Sequence, residues 1–161
     1  MSLDERLLRL ARTRGHTPVR ERAVRRFSRL GEHAAVWLAI GAVGSLAAAP
    51  ESRGRFRRAT ALVAATYGLN TGLKLLIRRP RPRLVDLPAL AKTPTQYSFP
   101  SAHASTSFAA ALAYSRAGLP ALPLYALAKA MAGSRLYLGV HYPSDVIAGA
   151  LLGSGLAAVA S

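Results

Sequence analysis

The chain has 161 residues, room for one domain, of which 51% are hydrophobic, and its 22 Lys and Arg against 7 Asp and Glu give a formal net charge of +15. That apolar content excludes a disordered basic tail, and the absence of cysteine excludes disulfides, thiolate metal sites and a Cys nucleophile. So basic a chain calls for a polyanionic neighbour: nucleic acid, an anionic membrane surface or phosphorylated ligands.

Residues 1–30 hold nine arginines: Arg6, Arg9, Arg12, Arg14, Arg20, Arg22, Arg25, Arg26 and Arg29. Val19, Ala23, Phe27 and Leu30 recur there at helical spacing with arginines around the remaining face, Leu3, Leu7, Leu8 and Leu10 point to an earlier helix, and residues 15–18 break the two. Basic amphipathic helices of this kind lie in the interface beside anionic headgroups, so residues 1–32 read as an interfacial segment. They lack the apolar core of a cleavable signal.

Beyond this segment the charge is segregated. Residues 33–49 contain no Lys, Arg, Asp or Glu, Arg53, Arg55, Arg57 and Arg58 follow, and residues 59–73 are again uncharged. A soluble nucleic-acid-binding domain interleaves its charges with its apolar face, so the partner is the bilayer with its anionic lipids and not nucleic acid. Apolar stretches at 33–49, 59–77, 103–117, 119–133 and 146–161 predict an all-α, polytopic membrane bundle of about five spanning helices over residues 33–161. Several stretches fall short of the roughly 20 residues that span a bilayer, and runs that short also suit core helices of a soluble bundle. The glycines inside them (Gly41, Gly44, Gly149, Gly153, Gly155) favour the close helix approach used in lipid, with Gly149 and Gly153 forming a GxxxG pair.

Residues 78–100, with Pro80, Pro82, Pro88, Pro94 and Pro100, form the one long polar connection, and such loops are usually functional. If the first stretch crosses once, residues 1–32, 78–102 and 134–145 share a side. That side collects Arg78, Arg79, Arg81, Arg83, His103, Arg135, His141 and Asp145, with Lys74 at its helix end. Ionisable groups gathered at helix ends in a membrane mark a site. Seventeen of the 22 Lys and Arg fall on or near this side and five on the other, so the positive-inside rule places the site in the cytoplasm, although residues 53–58 oppose that locally.

Lys74 is followed after six residues by Arg81-Pro82, Pro100-Ser101-Ala102-His103 comes next, and Ser134-Arg135 is followed by His141 and Asp145. These three segments resemble the signatures of the phosphatidic acid phosphatase type 2 superfamily, whose site is shared with vanadium-dependent haloperoxidases. The second departs from the family's pattern by one residue, Ala102 standing where the family has Gly, which adds a methyl group to the pocket. The resemblance runs from about residue 67 to residue 153. It implies that His141 is the nucleophile and forms a phosphohistidine, that Asp145 orients and stabilises its imidazole, and that His103 is the general acid and later the base. Lys74, Arg81, Ser101, the backbone N–H at Ala102 and Arg135 are then the phosphate-binding set. Such a set suits phosphoryl transfer, which needs cations and donors around the equatorial oxygens, an in-line nucleophile and a leaving-group acid. No metal or other cofactor is called for.

The expected substrate is a lipid-linked phosphate whose tail stays in the bilayer. The Arg- and Ala-rich chain, with Gly31-Glu32-His33 at the start of its first apolar stretch, is similar to members acting on a polyprenyl-linked sugar phosphate of cell-wall synthesis. A polyprenyl pyrophosphate, a phosphatidate or a phosphatidylglycerophosphate are the other substrates open to the family, and an inactive basic membrane adaptor is the reading from another class. Haloperoxidase chemistry fits a small chain of five spans poorly. His16 and His33 read as interfacial, with a polar lid of Glu32 and His33 as the alternative. Arg78, Arg79 and Arg83 read as membrane-surface charge, with an extension of the phosphate site as the alternative, Lys129 as a snorkelling side chain or a second phosphate ligand, and Tyr137 and Tyr142 as packing or belt residues. The oligomeric state is not encoded legibly.

Overall fold

Side chains at the helix starts satisfy the first free N–H groups. Ser2 accepts from the Glu5 N–H while Glu5 reaches back to the Ser2 N–H, a capping box opening α1 (Leu3–Thr13). Thr17 caps α2 (Pro18–Arg29). A 3-10 turn, Glu32–Ala34, leads into α3 (Ala35–Ala47), and α4 (Pro50–Ile77) follows after a two-residue link. The long polar loop ends at α5 (Ala102–Arg116), and α6 (Ala121–Tyr137) and α7 (Pro143–Ala160) complete the chain. The computed structural model describes residues 1–160, and among these the only strand-like pairing is an isolated bridge between Pro80 and Tyr97.

The bundle is organised around α5, which packs against α3, α4, α6 and α7. Its approach to α7 is closest at the GxxxG pair. A methyl group on Gly149 would run into the Ser101 carbonyl, and one on Gly153 into the Ser105 carbonyl and the Ala109 nitrogen. Trp37, Phe56, Val63 and Tyr114 form the core between α3, α4 and α5. Trp37 Nε1 donates to Ser107 Oγ at 2.8 Å, and Tyr114 Oη donates to the Trp37 carbonyl at 2.8 Å. Beside this apolar core, Thr66, Asn70, Ser105, Thr106 and Ser107 are also buried, while Leu46, Leu76, Leu122 and Val159 are each more than 75% exposed. Large apolar side chains facing outward, with small and polar residues among those packed between helices, suit a lipid surrounding.

Each of the five predicted apolar stretches becomes a helix, but the expected number of spans is not matched by length. The 13 residues of α3 rise only about 20 Å, against a hydrocarbon core of about 30 Å. By length and composition α7 alone suits a crossing, and Pro18–Arg29 with Glu32–Ala47, bent by 51°, makes a second candidate. Residues 50–58, expected as a connection, are helical instead. Pro50 fills the first position of α4 where its missing N–H is harmless, and Arg53, Arg55, Arg57 and Arg58 ride on its opening turns.

The N-terminal helices rest on the end of the bundle that carries the long loop, α1 against α6 and α7 and α2 against α6. Leu8 is fully buried there. Arg12, also buried, donates to the Pro88 carbonyl at 2.8 Å and the Tyr137 carbonyl at 3.2 Å, and Arg9 grips Asp86 through two bonds of 2.6 and 2.9 Å. These arginines serve protein acceptors.

Candidate active site

The last turn of α4 ends at Arg78 in a left-handed conformation, so the chain reverses and the loop folds back across the helix end. Ser98 N–H donates to the Arg79 carbonyl at 2.8 Å, which brings residues 98–100 over Lys74. Lys74 Nζ donates to the Ser98 carbonyl at 2.9 Å and the Pro100 carbonyl at 2.6 Å, so its ammonium is held in place before any ligand arrives. Arg81 is fixed in the same way by the Thr95 and Val140 carbonyls, at 2.8 and 2.7 Å. Burial pushes the Arg81 guanidinium down to about 10, still fully charged at neutral pH.

His141 lies in the link between α6 and α7. Arg81 Nη1 stands 3.1 Å from its Nε2. A guanidinium can only donate, so Nε2 carries the lone pair and the ring proton sits on Nδ1, which faces Asp145 Oδ2 at 3.5 Å. Burial, reinforced by Arg81, Arg135 and Lys74, holds His141 well below the usual imidazole range, so the ring is neutral. Asp145 is fully buried and is itself held on both oxygens, Oδ1 by Arg79 Nη1 and Oδ2 by the Tyr142 N–H, each at 2.8 Å.

His103, in the first turn of α5, has its Nε2 2.9 Å from the Ser28 carbonyl. A carbonyl only accepts, so this nitrogen bears hydrogen and Nδ1 is the one left to exchange a proton. Arg135, in the last turn of α6, donates through Nη1 to Ser28 Oγ at 2.6 Å. Lys74, Arg81, Ala102, His103, Arg135 and His141, six of the eight expected site residues, line a single pocket. Asp145 stands behind His141. Ser101 is buried at the α5 start, its hydroxyl accepting from the Ala104 N–H at 3.5 Å and its N–H donating to the Asp145 carbonyl at 2.9 Å. The hydroxyl expected among the phosphate donors thus accepts at the helix start, with its O–H still able to donate, and Ser101 is not among the residues lining the pocket.

Arg79 corrects the expectation of three surface arginines. Arg78 and Arg83 are exposed, but Arg79 bridges Asp145, Ser144 (2.7 Å) and Asp4 of α1 (2.9 Å) and lies 4.3 Å over the Tyr142 ring. Asp4 also accepts from the Ser144 N–H and hydroxyl. Lys129 is exposed on α6 and Tyr137 stacks on His16 with ring centroids 3.9 Å apart. Sequence reasoning missed Arg79, Asp4 and Ser28. The adjacency of Arg79 to the first signature was the one available signal.

Residues 31–34 close the pocket from the N-terminal side. Gly31 passes so near His103 and Met131 that a methyl group there would collide with both. The next turn carries two successive non-glycine residues at positive φ, His33 at 52° and Ala34 at 60°, each a strain of about 1–3 kcal/mol of the kind that collects at functional sites. His33 Nδ1 meets Tyr67 Oη at 2.7 Å, and Glu32, His33, Tyr67 and Leu75 line the same pocket as the cations.

Three cations, an imidazole with its lone pair turned toward them and a second imidazole around one pocket can bind a phosphoryl group and transfer it. The PAP2 superfamily profile matches residues 57–161 of the chain, a wider stretch than the three signatures occupy. Decaprenylphosphoryl-5-phosphoribose phosphatase of Mycobacterium tuberculosis is 45% identical over 139 residues, covering 84% of this chain and 75% of that protein. The Mycolicibacterium smegmatis protein of the same name is 43% identical over 126 residues, 78% and 68% of the two chains. Among solved structures, Aquifex aeolicus LpxE superposes with a TM-score of 0.83 at 24% identity over 99% of this chain and 95% of that one. A Bacillus subtilis transmembrane PAP2 type phosphatidylglycerolphosphate phosphatase does so with 0.78 at 21% identity over 98% and 82%. The chain belongs to the PAP2 superfamily and is a membrane-associated phosphoric monoester hydrolase.

Proposed function

We propose that the chain is a multi-pass, metal-independent phosphatase that removes the terminal phosphate of a polyprenyl-linked phosphoribose, converting decaprenylphosphoryl-5-phosphoribose to decaprenylphosphoryl ribose. The observation that carries the chemistry is the lone pair of His141 Nε2 lying among Arg81, Lys74 and Arg135 in one pocket with His103. His103 enters this step as the imidazolium, its second proton on Nδ1 and its charge balanced by the bound phosphate dianion. Nε2 of His141 attacks phosphorus, the bond to the ribose oxygen breaks, and His103 Nδ1 delivers its proton to the departing oxygen. Water then gives a proton back to His103 and attacks phosphorus, the P–N bond breaks, and inorganic phosphate leaves. Asp145, steadied by Arg79, keeps the ring proton on Nδ1 and stabilises the positive charge that develops on the imidazole. The cations take up the equatorial oxygens' charge, so the step calls on no metal.

Identity of 45% over 84% of the chain supports the substrate reading. The outward apolar side chains support a bilayer-embedded bundle in which α3 to α7 cross and residues 1–32 lie at the anionic surface, and the excess of basic residues on the side of the pocket supports a cytoplasmic site. The test is phosphate release in EDTA by purified wild type and His141→Ala, with decaprenylphosphoryl-5-phosphoribose, undecaprenyl pyrophosphate and phosphatidate side by side. Preference for the phosphoribose lipid, abolished in the variant, is the expected result. Preference for another lipid overturns the substrate, wild-type turnover by the variant overturns the nucleophile, and dependence on added metal overturns the metal-free step.

A further inference from the structure

The pocket is lined by two chemically distinct sets of residues. One is cationic, built from Lys74, Arg81 and Arg135, and the mechanism uses all of it. The other carries Glu32, His33 and Tyr67, and no step of phosphoryl transfer calls on them. Glu32 lines the pocket with no direct hydrogen bond or close ion pair among the described residues, and its charge is felt by Arg135 across the same cavity, so its oxygens are open to a ligand's donors. Its neighbour His33 is held in place by the bond to Tyr67 Oη and by an edge-on ring contact with centroids 5.7 Å apart. The turn that presents both residues is fixed below by Gly31 against His103, so this set is registered to the reacting centre.

A carboxylate accepts hydrogen bonds and repels anions. Hydroxyl groups beside the reacting phosphate satisfy it, and a vicinal diol can satisfy both its oxygens, as a carboxylate does when it holds a ribose. A second phosphate directly attached to the first, as in a pyrophosphate, brings like charge toward it. The ester groups of a phosphatidate bring acceptors and leave the half-buried Glu32 without a partner from the ligand, and a site that hydrogen-bonds a substrate hydroxyl discriminates against ligands lacking it.

We propose that Glu32, supported by His33 and Tyr67, reads the headgroup and selects a hydroxyl-bearing sugar phosphate over a pyrophosphate or a phosphatidate. This rests on the reading of the pocket as the phosphatase site and assigns the residues that set its substrate class.

The experiment measures kcat/KM of wild type, Glu32→Ala, Glu32→Gln and Tyr67→Phe on decaprenylphosphoryl-5-phosphoribose, undecaprenyl pyrophosphate and phosphatidate in one detergent, with unfolding midpoints recorded for each protein. The wild-type ratio of phosphoribose lipid to phosphatidate is expected to fall at least tenfold in Glu32→Ala. Glu32→Gln, which keeps an acceptor but loses the charge, should retain part of that ratio while gaining relative activity on the pyrophosphate. Tyr67→Phe, which frees His33, should shift the ratio the same way by a smaller factor. A wild-type ratio in Glu32→Ala, with phosphoribose lipid still turned over, overturns the selection and leaves the phosphatase reading standing. A parallel loss on all three substrates overturns it also, since Glu32 would then serve the shared machinery or the fold. Wild-type preference for pyrophosphate contradicts the repulsion argued here, and no turnover of any lipid by wild type overturns both readings.

Discussion

Replacing Arg79 by alanine isolates the support behind the nucleophile. The substitution removes the 2.8 Å bond to Asp145 Oδ1 and leaves that fully buried carboxylate with the Tyr142 N–H and a 3.5 Å contact to His141. A hydrogen bond to a charged group contributes about 1.5–3 kcal/mol, and stripping the partner from a buried charge costs about 3–5 kcal/mol where no water reaches it. Arg79 is itself partly open to solvent, its side chain 30% exposed, so the lower range applies. About 1.5–3 kcal/mol of orientation lost in the transition state is roughly a 10- to 150-fold fall in kcat. KM should move little, because Arg79 does not line the pocket. The decisive assay is a double-mutant cycle with Asp145→Asn. If Arg79 acts through Asp145, the double variant is no slower than Asp145→Asn alone, a coupling as large as the single effect. Additive losses, or a wild-type kcat in Arg79→Ala, would refute the positioning argument.

Two further outcomes follow from the packing and the charges. Gly153→Ala places a methyl group on the Ser105 carbonyl, backbone that cannot swing aside, so α7 must back away from α5 at a cost of about 1–3 kcal/mol; an unchanged thermal midpoint in detergent would contradict the close approach, and Gly155→Ala, which meets open space, is the control. Although burial raises it, the Asp4 carboxyl is held below its ordinary value of 3.8 by bonds from Ser144 and Arg79. A carboxylate depressed on folding stabilises above its unfolded pKa and loses that contribution as pH falls through the folded one. Wild type should therefore exceed Asp4→Asn in stability at pH 5 and above, with the gap closing below about pH 4, and a gap that widens on acidification would reverse the assignment.

What the sequence disclosed and what it hid divide along contact range. The five apolar stretches, the GxxxG approach and the three signatures are local patterns, and each appears where its spacing placed it. The count of crossing helices was not legible, because it depends on where helices end: residues 50–58 looked like a charged link, yet with Pro50 at the first position and Glu51 and the arginines after it α4 runs through them despite Gly54. Ser101 shows the same limit at a single atom. Its place in a signature said that it belongs to the site, but only the course of the backbone shows that its hydroxyl oxygen also accepts from the Ala104 N–H at the start of α5.

Arg79 and Ser28 were illegible for a different reason. Arg79 sits between Arg78 and Arg81 in a run of arginines that differ in nothing local. Its role comes from Asp145 and Asp4, 66 and 75 residues away along the chain. Ser28 reaches His103 and Arg135 over 75 and 107 residues, from a helix whose composition speaks only of a membrane surface. The family-matched stretch begins at residue 57, so Asp4, Ser28, Gly31, Glu32 and His33 all lie outside the part of the chain that defines the family. The family-matched stretch and the pocket therefore have different boundaries. In the proposed mechanism the signatures supply the groups that transfer phosphate, while the N-terminal helices and the turn after them supply the carbonyl beside His103, the carboxylate that pairs with Arg79 and the Glu32–His33 side of the lining. Because Gly31 packs directly on His103, that turn is fixed relative to the reacting groups, so a change in Glu32 that keeps the turn alters which headgroup is accepted, whereas a change in Gly31 disturbs the transfer step itself.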